Sequence, residues 1–179
     1  MYPHTSWRAH YLHQKAPLFE QTDVRQAASL YQTIEGIFSN SQLERLKQAL
    51  RFYAQTLFID QWDLIFVMCW QSLEALFSLE PFEVSHQLSE RAACILHPPG
   101  QARKEAYEML KNLYRVRSNI MHGRSVGRSE EKMNQNLKDL SNIARNILKK
   151  ILKSRQLLDL YKEKDEKIRE YFHKRLFIG

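Results

Sequence analysis

The chain has 179 residues, of which 44% are hydrophobic and 26% charged, and these values are those of a soluble globular domain with a substantial core. The formal net charge of +7 favours an anionic partner, nucleic acid above all, although an inert basic surface accounts for the charge equally well. The longest unbroken apolar run, Leu64 to Trp70, is too short to cross a bilayer, and no signal-peptide core is visible, so we expect a cytoplasmic protein with no membrane partner.

Residues 1–40 are predicted to form an N-terminal arm followed by a short helix. The arm carries three histidines and three aromatic residues within its first 13 positions, and these side chains could stack on bases or pack on the chain's own domain or a neighbouring subunit. No acidic or cysteine partner accompanies the histidines, so no metal site is expected there. The helix is predicted from about Thr22 to Phe38, with Thr22 or Asp23 as its N-cap.

Two apolar helices are predicted next. The first begins with a capping box, in which Ser41 is the N-cap and Glu44 follows three residues later. Its apolar face repeats every three or four residues and consists of Leu43, Leu46, Leu50, Tyr53 and Leu57. The second helix, from Asp60 to Leu79, has almost no polar face, which is typical of a central helix surrounded by others.

The following helices are separated by clear breaks. Pro81 ends the central helix, residues 84–96 form another, and the run Pro98-Pro99-Gly100 interrupts the chain again. A further helix is predicted from about Gln101 to His122, before a loop that contains two glycines and two arginines.

The last predicted helix begins at Ser129, an N-cap followed by an acidic first turn. Its apolar positions are spaced as heptads, at 137, 140, 144, 147 and 151. No glycine or proline interrupts the chain from Ser129 to Ile178, so either one very long helix or two abutting helices are expected. Residues 141–179 are basic, with eleven lysines or arginines against five acidic residues.

These elements predict an all-α fold, an antiparallel helical bundle of four to five core helices with additional N- and C-terminal helices. The bundle would comprise residues 41–153, and residues 154–179 would form a basic C-terminal helical extension of the same single domain.

Arg117 and His122 stand out on the helix that ends near Gly123. Arg117 lies in an apolar stripe, and an unpaired buried charge costs several kcal/mol, so its guanidinium needs an anion or several acceptors. The other members of the stripe are Ala106, Leu110, Leu113 and Ile120. His122 follows five residues later on a polar face, and Gly123 is a typical helix stop. The helix macrodipole favours a charged histidine at this position, so the pattern predicts a cation beside a proton carrier, facing an anion.

The stretch from Leu113 to Arg124 resembles the HEPN superfamily, and within it the Apea-like branch. The family signature is an R-x(4–6)-H motif near the end of a helix, and here the motif is Arg117 and His122 with four residues between them. Many family members carry Asn, His or Asp directly after the arginine, whereas this chain has Ser118 followed by Asn119. The segments 72–77 and 88–93 look like the second and third core helices of the family, and the resemblance covers roughly residues 40 to 153.

The resemblance implies a metal-independent endoribonuclease that acts on RNA as a homodimer, in a toxin–antitoxin or defence setting. An antitoxin or a companion nucleotidyltransferase would then be a further partner. The 2′-hydroxyl of RNA is the nucleophile in such chemistry, so no metal and no cofactor are expected. Arg117 would hold the phosphate and His122 would transfer protons, while Ser118 or Asn119 orients the imidazole or the phosphate. The residues expected to attract the RNA backbone are Lys111, Arg115 and Arg124.

Glu74 is the anomaly of the central helix, because a carboxylate on so apolar a helix needs a partner. That partner would be Arg117, and the alternative is a carboxylate at the helix edge, facing water. If Glu74 occupies Arg117 and His122 only ends its helix, the chain would be a structural helical adaptor. A third interpretation is a non-catalytic HEPN-like module for dimerisation or for binding nucleotide or RNA.

Overall fold

The computed structural model describes residues 21–124 and 129–177, and the regular elements in these ranges are all helical. The α-helices in chain order are α1 (Gln21–Ser39), α2 (Glu44–Gln55), α3 (Trp62–Phe77), α4 (Val84–Leu96), α5 (Gln101–Met121), α6 (Glu130–Lys153), α7 (Arg155–Leu160) and α8 (Asp165–Phe177). The predicted all-α fold is therefore confirmed. The aromatic arm predicted at the N-terminus lies outside the described residues. Within them, no helix combines the length and apolar composition that a bilayer span requires.

Helix α3 is the centre of the bundle, because α2, α4, α5 and α6 all pack against it. Nine of its 16 residues are buried, and three of its aromatic side chains, Phe66, Trp70 and Phe77, are fully covered. Cys69 is buried and unpaired, and burial raises the pKa of its thiol to about 12. The thiol is therefore a protonated core group, as the apolar sequence around it predicts.

Helix α6 contributes a second long apolar face to the core. The five heptad positions are completely buried, namely Leu137, Leu140, Ala144, Ile147 and Ile151. Ser129 is the N-cap, since its side chain accepts a hydrogen bond from the backbone N–H of Lys132. Both the cap and the buried face agree with the sequence pattern.

The C-terminal segment forms three helices rather than the one or two that were expected. Helix α6 ends at Lys153 because Ser154 has an extended backbone, with φ −106° and ψ 111°, and caps α7 by accepting a hydrogen bond from the N–H of Leu157. A serine cap is enough to end one helix and begin the next without glycine or proline. Helix α8 then contributes Ile168 and Phe172 to the main core.

Three side chains from distant parts of the chain bond the end of α3. An α-helix leaves its last four carbonyls without a partner inside the helix, and here these belong to residues 75–78. Arg45 donates to the first and the last of them, at 3.2 and 3.1 Å, while Tyr161 donates to the second and Arg91 to the third. Arg45 also binds Asp165 at the start of α8, with Nε 2.9 Å from Oδ1, so it ties α2, α3 and α8 together.

The start and end of α2 differ from the prediction. Asn40, not Ser41, is the capping residue: its side chain accepts a hydrogen bond from the N–H of Gln42 at 2.9 Å, and a short 3₁₀ turn precedes the α-helix. Asn and Ser are equally good N-caps, so residue type alone does not show which of two adjacent candidates caps the helix. The helix also ends earlier, at Gln55, and Leu57 is 65% exposed instead of lying on the buried face.

Helix α1 makes little contact with the core. Ile37 is its only buried residue, and the apolar side chains of Val24, Tyr31 and Phe38 are exposed.

Candidate functional site

Helix α5 ends at the R-x4-H motif in a Schellman motif. Gly123 has φ +61°, a left-handed conformation that glycine adopts at little cost. Its N–H donates to the carbonyl of Ile120 at 3.0 Å, and the N–H of Arg124 donates to the carbonyl of Asn119 at 2.9 Å. The predicted helix stop at Gly123 is therefore confirmed, and His122 is the C-cap residue.

Arg117 forms the expected ion pair with Glu74, which joins α5 to α3. The Nη2 atom of Arg117 lies 3.0 Å from Oε1 of Glu74 and donates a hydrogen bond to Oε2 at 3.3 Å. The two side chains are only 19% and 17% exposed, so Glu74 does not simply face water. The pair fixes the guanidinium at the boundary between the core and the surface.

Tyr114 completes the environment of the guanidinium. The Cζ atom of Arg117 lies 5.4 Å from the centroid of the Tyr114 ring, within the range of a cation–π interaction. Tyr114 in turn meets Trp70 of α3 edge to face, with ring centroids 5.3 Å apart. Tyr114 is not among the residues predicted for the site, although it lies three residues before Arg117, a spacing that places two side chains side by side on a helix.

Burial dominates the electrostatics of this pair. Loss of water around Glu74 raises the pKa of its carboxyl, and the charge of Arg117 lowers it only partly. Burial likewise raises the pKa of the Tyr114 hydroxyl. The Nε of Arg117 has no hydrogen-bond partner among the described residues and is enclosed by the protein, so a ligand oxygen can reach the guanidinium only through the 19% of the side chain that is exposed.

His122 lies at the same end of α5 but on another side of the helix. Five residues correspond to a rise of about 7.5 Å and a rotation of about 140°, so Arg117 reaches Glu74 while His122 is exposed. The backbone N–H of His122 donates to the carbonyl of Ser118 at 3.1 Å. The structure thus brings the two motif residues to one helix end without directing both at one point.

Ser118 and Asn119, expected to orient the imidazole or the phosphate, contribute backbone groups to the site. Their carbonyls accept the hydrogen bonds that end the helix, from His122 and Arg124 respectively. Both side chains are partly exposed, and the two residues lie between Arg117 and His122 in sequence. Their observed contribution is therefore to fix the helix end that carries His122.

Of the residues predicted to attract RNA, Lys111 and Arg115 lie on α5 and Arg124 follows it. Arg115 and Arg124 are exposed, and Arg124 directly follows the Schellman glycine. Lys111 is placed over the ring of Tyr107, with Nζ 5.4 Å from its centroid. The Tyr107 hydroxyl lies 2.8 Å from Nδ1 of His86 on α4, a contact between two helices that no sequence spacing could indicate.

A scan of the chain against models of protein families finds no match, and comparisons with curated proteins and with solved structures find none either. The likeness to the HEPN superfamily therefore stays a prediction that rests on the motif residues. Among the described residues, no three or more His, Cys, Asp or Glu side chains are grouped so that they could hold a metal ion.

Proposed function

We propose that the chain is a metal-independent endoribonuclease of the HEPN type that acts as a homodimer. The observation that carries the proposal is the end of α5, where the partly exposed guanidinium of Arg117 lies within two turns of an exposed histidine. A toxin–antitoxin or defence setting, with an antitoxin or a companion nucleotidyltransferase as partner, belongs to the same proposal and follows from the resemblance alone.

The chemistry uses a nucleophile that RNA itself supplies. The 2′-oxygen attacks the adjacent phosphorus, the bond from phosphorus to the 5′-oxygen breaks, and a 2′,3′-cyclic phosphate and a 5′-hydroxyl result. His122 accepts the proton of the 2′-hydroxyl or donates one to the leaving 5′-oxygen. Arg117 donates to the non-bridging oxygens, whose charge increases in the transition state.

A homodimer would supply the two proton-transfer groups that the reaction needs. One proton leaves the 2′-oxygen and another reaches the 5′-oxygen, yet each chain offers a single motif histidine. Arg117 and His122 of one chain also diverge by about 140° around α5. A two-fold pair of α5 ends would surround one phosphate with two arginines and two histidines.

The test is cleavage of labelled tRNA and mRNA in the presence of EDTA. We expect wild type to cleave, and His122→Ala and Arg117→Ala to lose a factor of about a hundred or more in rate. The matched controls are His173→Ala and Arg145→Ala, both at exposed positions, which should keep the wild-type rate. Circular dichroism during heating shows whether each variant is folded.

Three outcomes would contradict the proposed mechanism. Cleavage of a substrate with 2′-deoxy or 2′-O-methyl ribose at the scissile position would exclude the 2′-oxygen as nucleophile. Activity that is lost in EDTA and restored by magnesium would show that the reaction depends on a metal ion. Full activity of His122→Ala would show that His122 is not the residue that transfers protons.

A second candidate function is a non-catalytic HEPN-like helical module for dimerisation or for binding nucleotide or RNA. The ion pair favours it, because Glu74 already engages the guanidinium that the nuclease needs. The same experiment separates the two functions. RNA binding equal in wild type and His122→Ala, without cleavage by either, would support the binding module.

A further inference from the structure

A basic groove of about 520 Å³ lies at the end of α6, away from the R-x4-H motif. It opens between the last two turns of α6 and the turn that connects α4 to α5. Its polar lining consists of His97, Asn146, Lys149, Lys150, Lys153 and Ser154. Among the described residues no carboxylate lines the groove, so no acidic side chain of that part of the chain neutralises the three lysines within it.

Lys150 is held in place by the end of α4. Its Nζ donates to the backbone carbonyls of Ile95, at 3.3 Å, and Leu96, which are among the carbonyls that α4 leaves without a helical partner. An ammonium group has three N–H donors, so one donor remains for a ligand. Lys149 and Lys153 are exposed and four residues apart, a spacing at which like charges repel each other. An anion in the groove would relieve that repulsion.

The lining indicates which part of a nucleic acid fits. No Phe, Tyr or Trp of the described ranges faces the groove, so these residues offer bases no ring to stack on. The donors suit phosphate oxygens, and an open groove allows a strand to enter and leave. We propose that the groove binds the phosphodiester backbone of RNA without regard to base sequence, as a second contact for the substrate of the proposed ribonuclease.

The groove and the motif lie at opposite ends of α5. The groove includes His97, just before α5 begins, whereas the motif ends the helix. The 21 residues of α5 make a helix about 30 Å long. With about 3.4 Å per phosphate, as along one strand of a duplex, a strand that reaches both places needs roughly nine nucleotides. The groove should therefore matter for long RNA and not for a short oligonucleotide.

The test compares two double variants with equal changes in charge. Lys149→Glu/Lys153→Glu reverses two groove lysines, and Lys164→Glu/Lys167→Glu reverses two exposed lysines that do not line it. Each is combined with His122→Ala, and binding of fluorescent single-stranded RNA is measured by anisotropy over a series of salt concentrations. We expect the groove variant to bind about tenfold more weakly, with a salt slope smaller by about 1.4. The control should change by less than about twofold.

Cleavage with His122 intact gives a second measurement. The groove variant should raise KM for long RNA and leave kcat/KM unchanged for an oligonucleotide too short to span α5. Equal weakening of RNA binding by both double variants, or an equal effect on short and long RNA, would overturn the proposal.

The proposal rests on RNA as the substrate, but it can fail separately from the ribonuclease. If RNA binding depends on Lys149 and Lys153 but neither wild type nor any variant cleaves RNA, the proposed RNA-binding groove is supported and the proposed ribonuclease is contradicted. If cleavage depends on His122 and the groove variant binds RNA as tightly as the control variant, only the proposal that the groove binds RNA is contradicted.

Discussion

Arg117 and Glu74 are 43 residues apart in the chain, and their side chains meet between α5 and α3 with Nη2 3.0 Å from Oε1. The pKa of Glu74 is raised because its burial outweighs the attraction of the arginine. Removing a carboxylate from water can cost more than one ion pair returns. The contact therefore orients the guanidinium, but it does not fully offset the cost of burying the ionised carboxylate of Glu74.

The raised pKa of Glu74 predicts that Glu74→Gln has a pH-dependent effect on stability. Between the ordinary and the raised pKa the folded chain binds more protons than the unfolded chain, so its stability falls as pH rises through this window. The free energy of unfolding of wild type minus that of Glu74→Gln should thus be largest in acid and shrink towards neutral pH. Urea unfolding at a series of pH values measures the difference, with exposed Glu163→Gln as control. A difference that grew with pH would mean that attraction to Arg117 dominates.

Arg45→Met is expected to destabilise the fold by about 2 to 3 kcal/mol, because it leaves backbone carbonyls at the end of α3 and the carboxylate of Asp165 without their donor. Arg51→Met, on the same helix but 53% exposed, should cost less than about 0.5 kcal/mol. Unfolding in guanidinium chloride checks both values. Equal losses would show that Arg45 contributes only as a surface charge.

Phe172→Ala tests whether α8 belongs to the main core. Phe172 is 1% exposed and lies edge to face with Phe77, at 5.8 Å between ring centroids. Truncation of such a ring costs about 3 to 5 kcal/mol. Phe82 is 63% exposed, so Phe82→Ala should have little effect on the midpoint of thermal unfolding. A Phe172 variant as stable as the Phe82 variant would mean that α8 detaches freely.

The proposed homodimer predicts a mass in light scattering of twice the 21.3 kDa of one chain, at micromolar concentration. If the two α5 ends meet, Met121→Cys, at a 52% exposed position beside the motif, should form an intermolecular disulfide under mild oxidation. Leu57→Cys, at a 65% exposed position on another connection, is the control and should not. A monomeric mass would count heavily against both the dimer and the paired site.

The sequence was informative where a signal is local. The heptad positions of α6, the cap at Ser129 and the stop at Gly123 each depend on residues within a few turns, and all three were predicted. The partner of Glu74 could also be inferred, because two charges on apolar faces have few ways to avoid an energetic penalty.

Contacts between distant helices could not be predicted in the same way. Arg45 and Tyr161 resemble ordinary surface and core residues in sequence, and only the packing of α2 and α7 places them against the end of α3. The lysines at 149, 150 and 153 belong to the basic stretch of residues 141–179, and the turn around His97, which completes the groove with them, is more than 50 residues away in sequence. Helix breaks made by a serine cap, as at Ser154, are equally hard to recognise.

The end of α3 also has a consequence for synthesis. Tyr161, which bonds the carbonyl of Leu76, follows it by 85 residues. Ribosomes add about 5 to 20 residues per second, so this tyrosine is made roughly 4 to 17 s after α3. Helix formation itself takes about a microsecond. The nascent bundle therefore spends seconds with the end of its central helix incomplete, and a chaperone that binds apolar surface would meet Phe77 without its contact to Phe172.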